Sequence, residues 1–391
     1  DWGMMAHLTA RQAVETDPKV KAALAENADL LAVKDPAQAG PQALLSAVKA
    51  LGRDHSLRSL SSLQALVPAA QDPALRKALA SSIAAIDHWQ WLVNVVQDAF
   101  SGLSLGSILV LMALGLSIIF GLMGVINMAH GELMTMGAYT GFLMQEAFHR
   151  WAPGAQDWYL PCAIPLAFLT AGAVGYLMEA LIIRHLYGRP LETLLATWGV
   201  SLCLIQAVRL VFGDNQAVNS PTWLVGGLEL FHGVVLPYNR CFIILLCGLS
   251  VAFTYAVIGR TKFGLLIRAT TQNRTMASSL GVNMRRVDAL TFAFGAGLAG
   301  VAGCALTQVG GITPDMGSNY IVDSFLVVVT GGVGKLAGAV WAGFGLGCLN
   351  KFLEPFVQAV WGKVLILLFV VVFIQWRPSG LFPAKGRAAN D

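Results

Sequence analysis

The chain has 391 residues, 56% hydrophobic and only 12% charged, with a formal net charge of +4 and a mean hydropathy of +0.63. Soluble domains carry about 25% charged residues, so this composition excludes an ordinary soluble enzyme and points to a polytopic membrane protein. The basic excess is small and sits in links between apolar segments, which reads as membrane orientation rather than nucleic-acid binding.

The chain opens on Asp1, so a start removed by processing or trimming is expected. Its first hundred residues lack a long apolar run and read as short amphipathic helices. "TDPKVKAAL" (Thr16 to Leu24) and "QDPALRKAL" (Gln71 to Leu79) are near copies, each with Asp as N-cap and Pro at the first helical position. Val20, Leu24 and Leu31 form one apolar face, and Leu44, Val48 and Leu51 another. Leu60, Leu63 and Val67 form a third, and Leu75, Leu79, Ile83 and Ile86 a fourth. The repetition suggests a HEAT-like helical solenoid, with a plain helical bundle as the alternative.

From Gly102 onward the apolar spans predict membrane helices over 102–126, 132–148, 161–183, 193–212, 241–258, 289–309, 320–330, 336–349 and 362–376. A straight crossing needs about 20 residues, so the seventh and eighth spans are expected to be broken or re-entrant. Gly331, Gly332, Gly334 and Gly338 lie between and within them. The expected organisation is a helical domain over 1–90, a linker over 91–101, a membrane domain over 102–376 and a tail over 377–391. Arg260, Lys262, Arg268, Arg274, Arg285 and Arg286 crowd the link after the fifth span. Arg184 and Arg189 follow the third, and Arg377, Lys385 and Arg387 lie in the tail. The positive-inside rule assigns all three to the cytoplasm. Counting back through nine crossings then places residues 1–101 outside.

Polar residues interrupt the apolar pattern in few places. In "GVINMAHGELMTMGAYTG" (Gly124 to Gly141), Asn127, His130 and Glu132 surround Gly131. A zincin site would need a second His on the same helix face, and none is near. Gly131 is expected to end one helix and place Glu132 in the first turn of the next, where a carboxylate complements the helix dipole. Asn127 and His130 then bond freed carbonyls. The other reading is direct contact with a permeating solute. Thr193, Thr197 and Ser201 form a hydroxyl stripe that either lines a polar path or bonds backbone and neighbouring helices. Gly295, Ala299 and Gly303, like Ala296, Gly300 and Cys304, recur at every fourth residue, as close helix packing requires. "TGGVGKLAGA" (Thr330 to Ala339) lacks the first Gly and the Ser or Thr of a phosphate loop, which excludes ATP binding there. The six cysteines form no metal or redox motif and read as packing residues.

Three stretches carry a family resemblance: "GLMGVINMAHGELMTMGAYT", "MASSLGVN" leading into "ALTFAFGAGLAGVAG", and "GGVGKLAGAVWAG". They resemble the permease subunits of ABC importers for branched-chain amino acids and amides, in collinear order over nearly all of residues 95–385. "DPALRKALASSIAAI" running into the first span is similar to the urea-transport permeases of that family. The resemblance implies a subunit without covalent chemistry and with no cofactor of its own; ATP and Mg belong to two cytoplasmic ATPase partners. It also implies a homologous second permease and an extracytoplasmic solute-binding protein. Asn127, His130, Gly131 and Glu132, with Thr197 and Ser201, are then candidates for a helix break or translocation path. Arg268, Asn273, Ala277, Gly281 and Asn283 are candidates for ATPase coupling.

The expectation is therefore an all-α polytopic bundle with broken helices in a bacterial inner membrane, preceded by an extracytoplasmic HEAT-like domain. Its expected function is inward transport of urea or a small amide. The alternatives are a branched-chain amino acid permease and, from another class, a stand-alone channel or secondary transporter.

Overall fold

The computed structural model describes residues 3–70, 72–231 and 233–382. Lys385 and Arg387 of the expected tail lie outside the described residues. The chain divides into two compact units, one of residues 1–97 with 229–235 and one of 98–228 with 236–391.

The first unit contains α1 (Gly3–Val14), α2 (Pro18–Lys34), α3 (Pro36–Ala39), α4 (Pro41–Arg53), α5 (Leu60–Leu66) and the first part of α6 (Pro73–Ile118). Four of these helices after α1 open on proline, whose missing N–H is no loss in a first turn. Asp72 completes one such start, its Oδ1 accepting the Ala74 N–H at 2.9 Å. Leu44, Val48, Leu51, Leu63, Leu79 and Ile86 close the core as their spacing predicted. Val20 and Val67 do not: both are exposed, so two of the four expected faces are shorter than their apolar pattern. A strand pair, β1 (Gly227–Phe231) and β2 (Val234–Pro237), contributes residues 229–235 to this unit. The expected linker over 91–101 is helical, because α6 runs for 46 residues without a proline or glycine break there. Trp91, Leu92 and Val96 keep the helical pattern continuous through that stretch.

The second unit holds the rest of α6, then α7 (His130–Trp151), α8 (Tyr159–Leu181), α9 (Pro190–Phe212), α10 (Tyr238–Arg260), α11 (Lys262–Gln272) and α12 (Arg274–Ser279). It ends with α13 (Met284–Leu306), α14 (Met316–Gly331) and α15 (Leu336–Trp376). Among the described residues, six helical segments are long and apolar enough to cross a membrane. α13 is buried along most of its length and packs on α8 and α7. Its small residues permit this: a Cβ on Gly137 of α7 would lie 2.0 Å from Gly300 O of α13.

α15 absorbs both of the last two expected spans. Its first arm, Leu336–Val357, outlasts the expected end at Leu349, because Phe352, Leu353 and Phe356 prolong the apolar helical pattern past Lys351. A straight helix of 41 residues would span about 60 Å. Yet Gly338 packs on Gly331 near one end of α15, while just past the other end the Leu381 N–H donates to Thr330 O at 2.8 Å. Both ends therefore meet at the C-terminus of α14, and α15 doubles back between its arms.

Candidate functional site

The break between α6 and α7 is built locally. α6 ends in a π turn over Ile119–Met123, and Gly124 follows with a φ of 69°, a left-handed conformation suited to glycine. The helix stop is thus Gly124, not Gly131. Asn127 folds the connection by accepting the Ala129 N–H on Oδ1 at 3.0 Å, so it serves an amide rather than a freed carbonyl. His130 opens α7 and donates from Nε2 to Met112 O at 3.2 Å, as expected of a residue bonding a carbonyl. Glu132 lies in the first turn of α7.

Gly131 has a different task from the one expected. Its face meets the start of α14 so closely that an added Cβ would lie 2.4 Å from Gly317 O. Thr135 seals the same contact, its Oγ1 accepting the Gly317 N–H at 3.1 Å. The positive ends of two helix dipoles, α7 and α14, therefore converge beside Glu132. Ser201 of α9 and Ser318 of α14 donate to the same oxygen, Oε1, at 3.1 and 2.9 Å. Glu132 is only 2% exposed, and its Oε2 has no hydrogen-bond partner. Among the described residues, no Lys or Arg forms an ion pair with it. The hydroxyl stripe of α9 splits: Thr193 bonds backbone at Leu186 and Arg189, while Thr197 accepts the Met128 N–H at 3.1 Å. Thr197 and Ser201 thus join the break between α6 and α7. Ser318 and Thr135 were missed in sequence, since pairing α14 with α7 is a long-range contact.

A family described as "Branched-chain amino acid transport system / permease component" matches residues 99–374. The chain belongs to this family. The permease protein BraD of Pseudomonas aeruginosa is 29% identical over 296 residues, covering 74% of this chain and 96% of that protein. The permease protein LivH of Escherichia coli K12 is 30% identical over 293 residues, 73% of this chain and 94% of that protein. LivM of the same organism is 24% identical over 350 residues, 84% and 80% of the respective chains. All three are named as high-affinity branched-chain amino acid transport permeases. No solved structure matches.

In this branched-chain permease-family chain, the expected coupling residues gather in a second place. Arg268 lies on α11, and Asn273 caps α12 by accepting the Met276 N–H at 2.9 Å. Gly281, with a φ of 86°, ends the turn after α12. Asn283 then caps α13, accepting the Arg286 N–H at 3.2 Å. Ala277 is buried, whereas Met276 and Leu280 stand 58% and 78% exposed. The apolar surface that this segment offers is therefore carried by Met276 and Leu280, and Ala277 packs inward.

Proposed function

We propose that this chain is the permease subunit of an ATP-driven importer of branched-chain amino acids. The observation that carries the reading is the buried Glu132 site, where α7, α9 and α14 meet on one carboxylate within the family's matched region. A buried carboxylate with a free acceptor oxygen suits an ammonium or amide N–H, and convergent helix N-termini suit a carboxylate. In this reading, a homologous permease, two ATPases carrying ATP and Mg, and a solute-binding protein complete the machine in a bacterial inner membrane. The basic link bearing α11 and α12 faces the cytoplasm by the positive-inside rule. The first unit is its extracytoplasmic, HEAT-like helical domain.

A second reading, urea or another small amide, draws on one observation. Buried polar residues of the membrane unit include Asn, Thr, Ser and Glu side chains but, among the described residues, no Lys or Arg. A neutral amide needs no counter-charge. Reconstitution with cognate partners in proteoliposomes separates these readings. ATP-dependent uptake of labelled leucine is expected. Urea uptake without leucine uptake would install the second reading, and uptake by this chain alone without ATP would overturn the importer class.

A further inference from the structure

Two carboxylates lie buried at one end of the closely packed helix pair α8 and α13. Glu179 of α8 is 3% exposed and Asp288 of α13 is 4% exposed. Like charges on adjoining helices repel, and burial sharpens the repulsion. Two side chains from outside the pair answer it. Tyr187, in the connection after α8, donates its hydroxyl to Glu179 Oε1 at 3.0 Å. Arg274, the first residue of α12, pairs with Asp288. Its guanidinium also lies over the Tyr187 ring, 5.1 Å from the centroid, within cation–π range. Burial first, then Asp288 and Glu179, push the Tyr187 phenol well above its usual range, so it remains a donor.

The elements beyond this network are packed without slack. Gly175 of α8 has no room for a Cβ, which would stand 2.4 Å from Ala296 Cβ of α13. α13 in turn touches α7 at Gly300 against Gly137, and α7 begins at the Glu132 site. Interfaces of this density switch between packed arrangements rather than deform continuously. α12 itself is short and, apart from Ala277, exposed, and the Arg274 side chain ties it to Asp288 of α13.

We infer that Arg274 is a positioning residue that makes α12, α8 and α13 move as one body, through its joint contact with Asp288 and Tyr187. Displacement of α12 is thereby delivered to the α8–α13 pair and on to α7. The inference rests on the importer reading above and adds the route by which an ATPase-driven movement enters the membrane helices. Arg274 lay outside the residues that the sequence singled out for coupling. It differs from them because its guanidinium reaches both Asp288 and Tyr187.

The test uses the complete importer in proteoliposomes and reads solute taken up per ATP hydrolysed. Arg274→Lys keeps the charge but loses the planar guanidinium over the ring; Arg274→Ala loses both contacts. Tyr187→Phe keeps the ring and removes only the bond to Glu179. With assembly and ATPase rate within about twofold of wild type, uptake per ATP is expected to fall by about fivefold or more in Arg274→Ala. Smaller falls are expected in Arg274→Lys and Tyr187→Phe. If Arg274→Ala fails to assemble, the two milder variants decide the matter through the same ratio. An unchanged ratio in the assembled variants, or uptake and hydrolysis falling in proportion, would overturn the inference. A wild-type chain that never associates with an ATPase would instead overturn the importer reading.

Discussion

Gly131 of α7 and Gly317 of α14 meet backbone to backbone: a Cβ on either would lie 2.4 or 2.2 Å from the other's carbonyl oxygen. Neither oxygen belongs to a flexible side chain, so the helices themselves must separate to admit a methyl group. Gly317→Ala is expected to lower stability by about 1–3 kcal/mol, the usual cost of overpacking. A thermal melt of the purified protein in detergent checks it. An unchanged melting temperature would mean that the two helix starts tolerate separation.

Glu132 supplies the acceptor for Ser201 and Ser318. Glu132→Gln keeps an acceptor for these hydroxyls but removes the charge and replaces the free acceptor oxygen with an N–H donor, so little change in melting temperature and a fall in leucine uptake of about tenfold or more are expected. Glu132→Ala leaves the buried Ser201 hydroxyl without its acceptor and is expected to cost about 1–3 kcal/mol for that group, whereas the exposed Ser318 turns to water. Leucine uptake unchanged by Gln, with assembly intact, would remove the carboxylate from solute binding.

Leu280 and Ala277 give opposite expectations although both belong to the expected coupling segment. Ala277 is 4% exposed, so Ala277→Glu is expected to disturb the seat of α12 within the chain, seen as faster proteolysis of the link. Leu280 is 78% exposed, so Leu280→Glu is expected to leave the melt unchanged while reducing ATPase co-purification several-fold. Normal co-purification of Leu280→Glu would remove this residue from the partner interface.

Asp29 of α2 sets a pH dependence for the first unit. Burial, then the charge of nearby Asp54, pushes its pKa up to about 6, against the pull of Arg53. The folded unit therefore binds a proton that the unfolded chain has released between pH 3.8 and about 6. Stability from this group is full below that window and is lost as pH rises through it. Hydrogen-exchange protection of α2 is expected to decline from pH 4 to 6, in rates corrected for intrinsic exchange, and Asp29→Asn is expected to flatten the decline. An identical slope in the variant would dismiss Asp29 as its source.

Local chemistry was legible in the sequence where it acts within a few residues. Asp72 with Pro73 announces a helix start and Glu132 a first helical turn, and both take that place; each depends on neighbours along the chain. The stop at Gly124 was hidden because Gly131, nearer the polar residues, offered an equally plausible signal. Its actual use, a close approach to Gly317, depends on a contact across much of the chain. Ser318 and Arg274 were hidden for the same reason, since a lone serine or arginine carries no sign of its distant partner. The strand pair over 227–237 escaped notice because its nine paired residues are few and its apolar alternation is short. The division between the two units, after residue 97, falls inside the expected linker over 91–101, which is nonetheless helical because nothing in it stops a helix.

The doubling back of α15 gives the residues after Trp376 a part in the order of assembly. Leu381 and Phe382 supply backbone donors to Thr330 and Gly331, carbonyls at the end of α14 that are made long before them. While the ribosome is still producing the second arm of α15, that end of α14 lacks two of its final partners. The last turn of α14 is thus completed only after synthesis has passed residue 382, and a premature stop at Arg377 would leave both arms made but the seam between them and α14 unfinished.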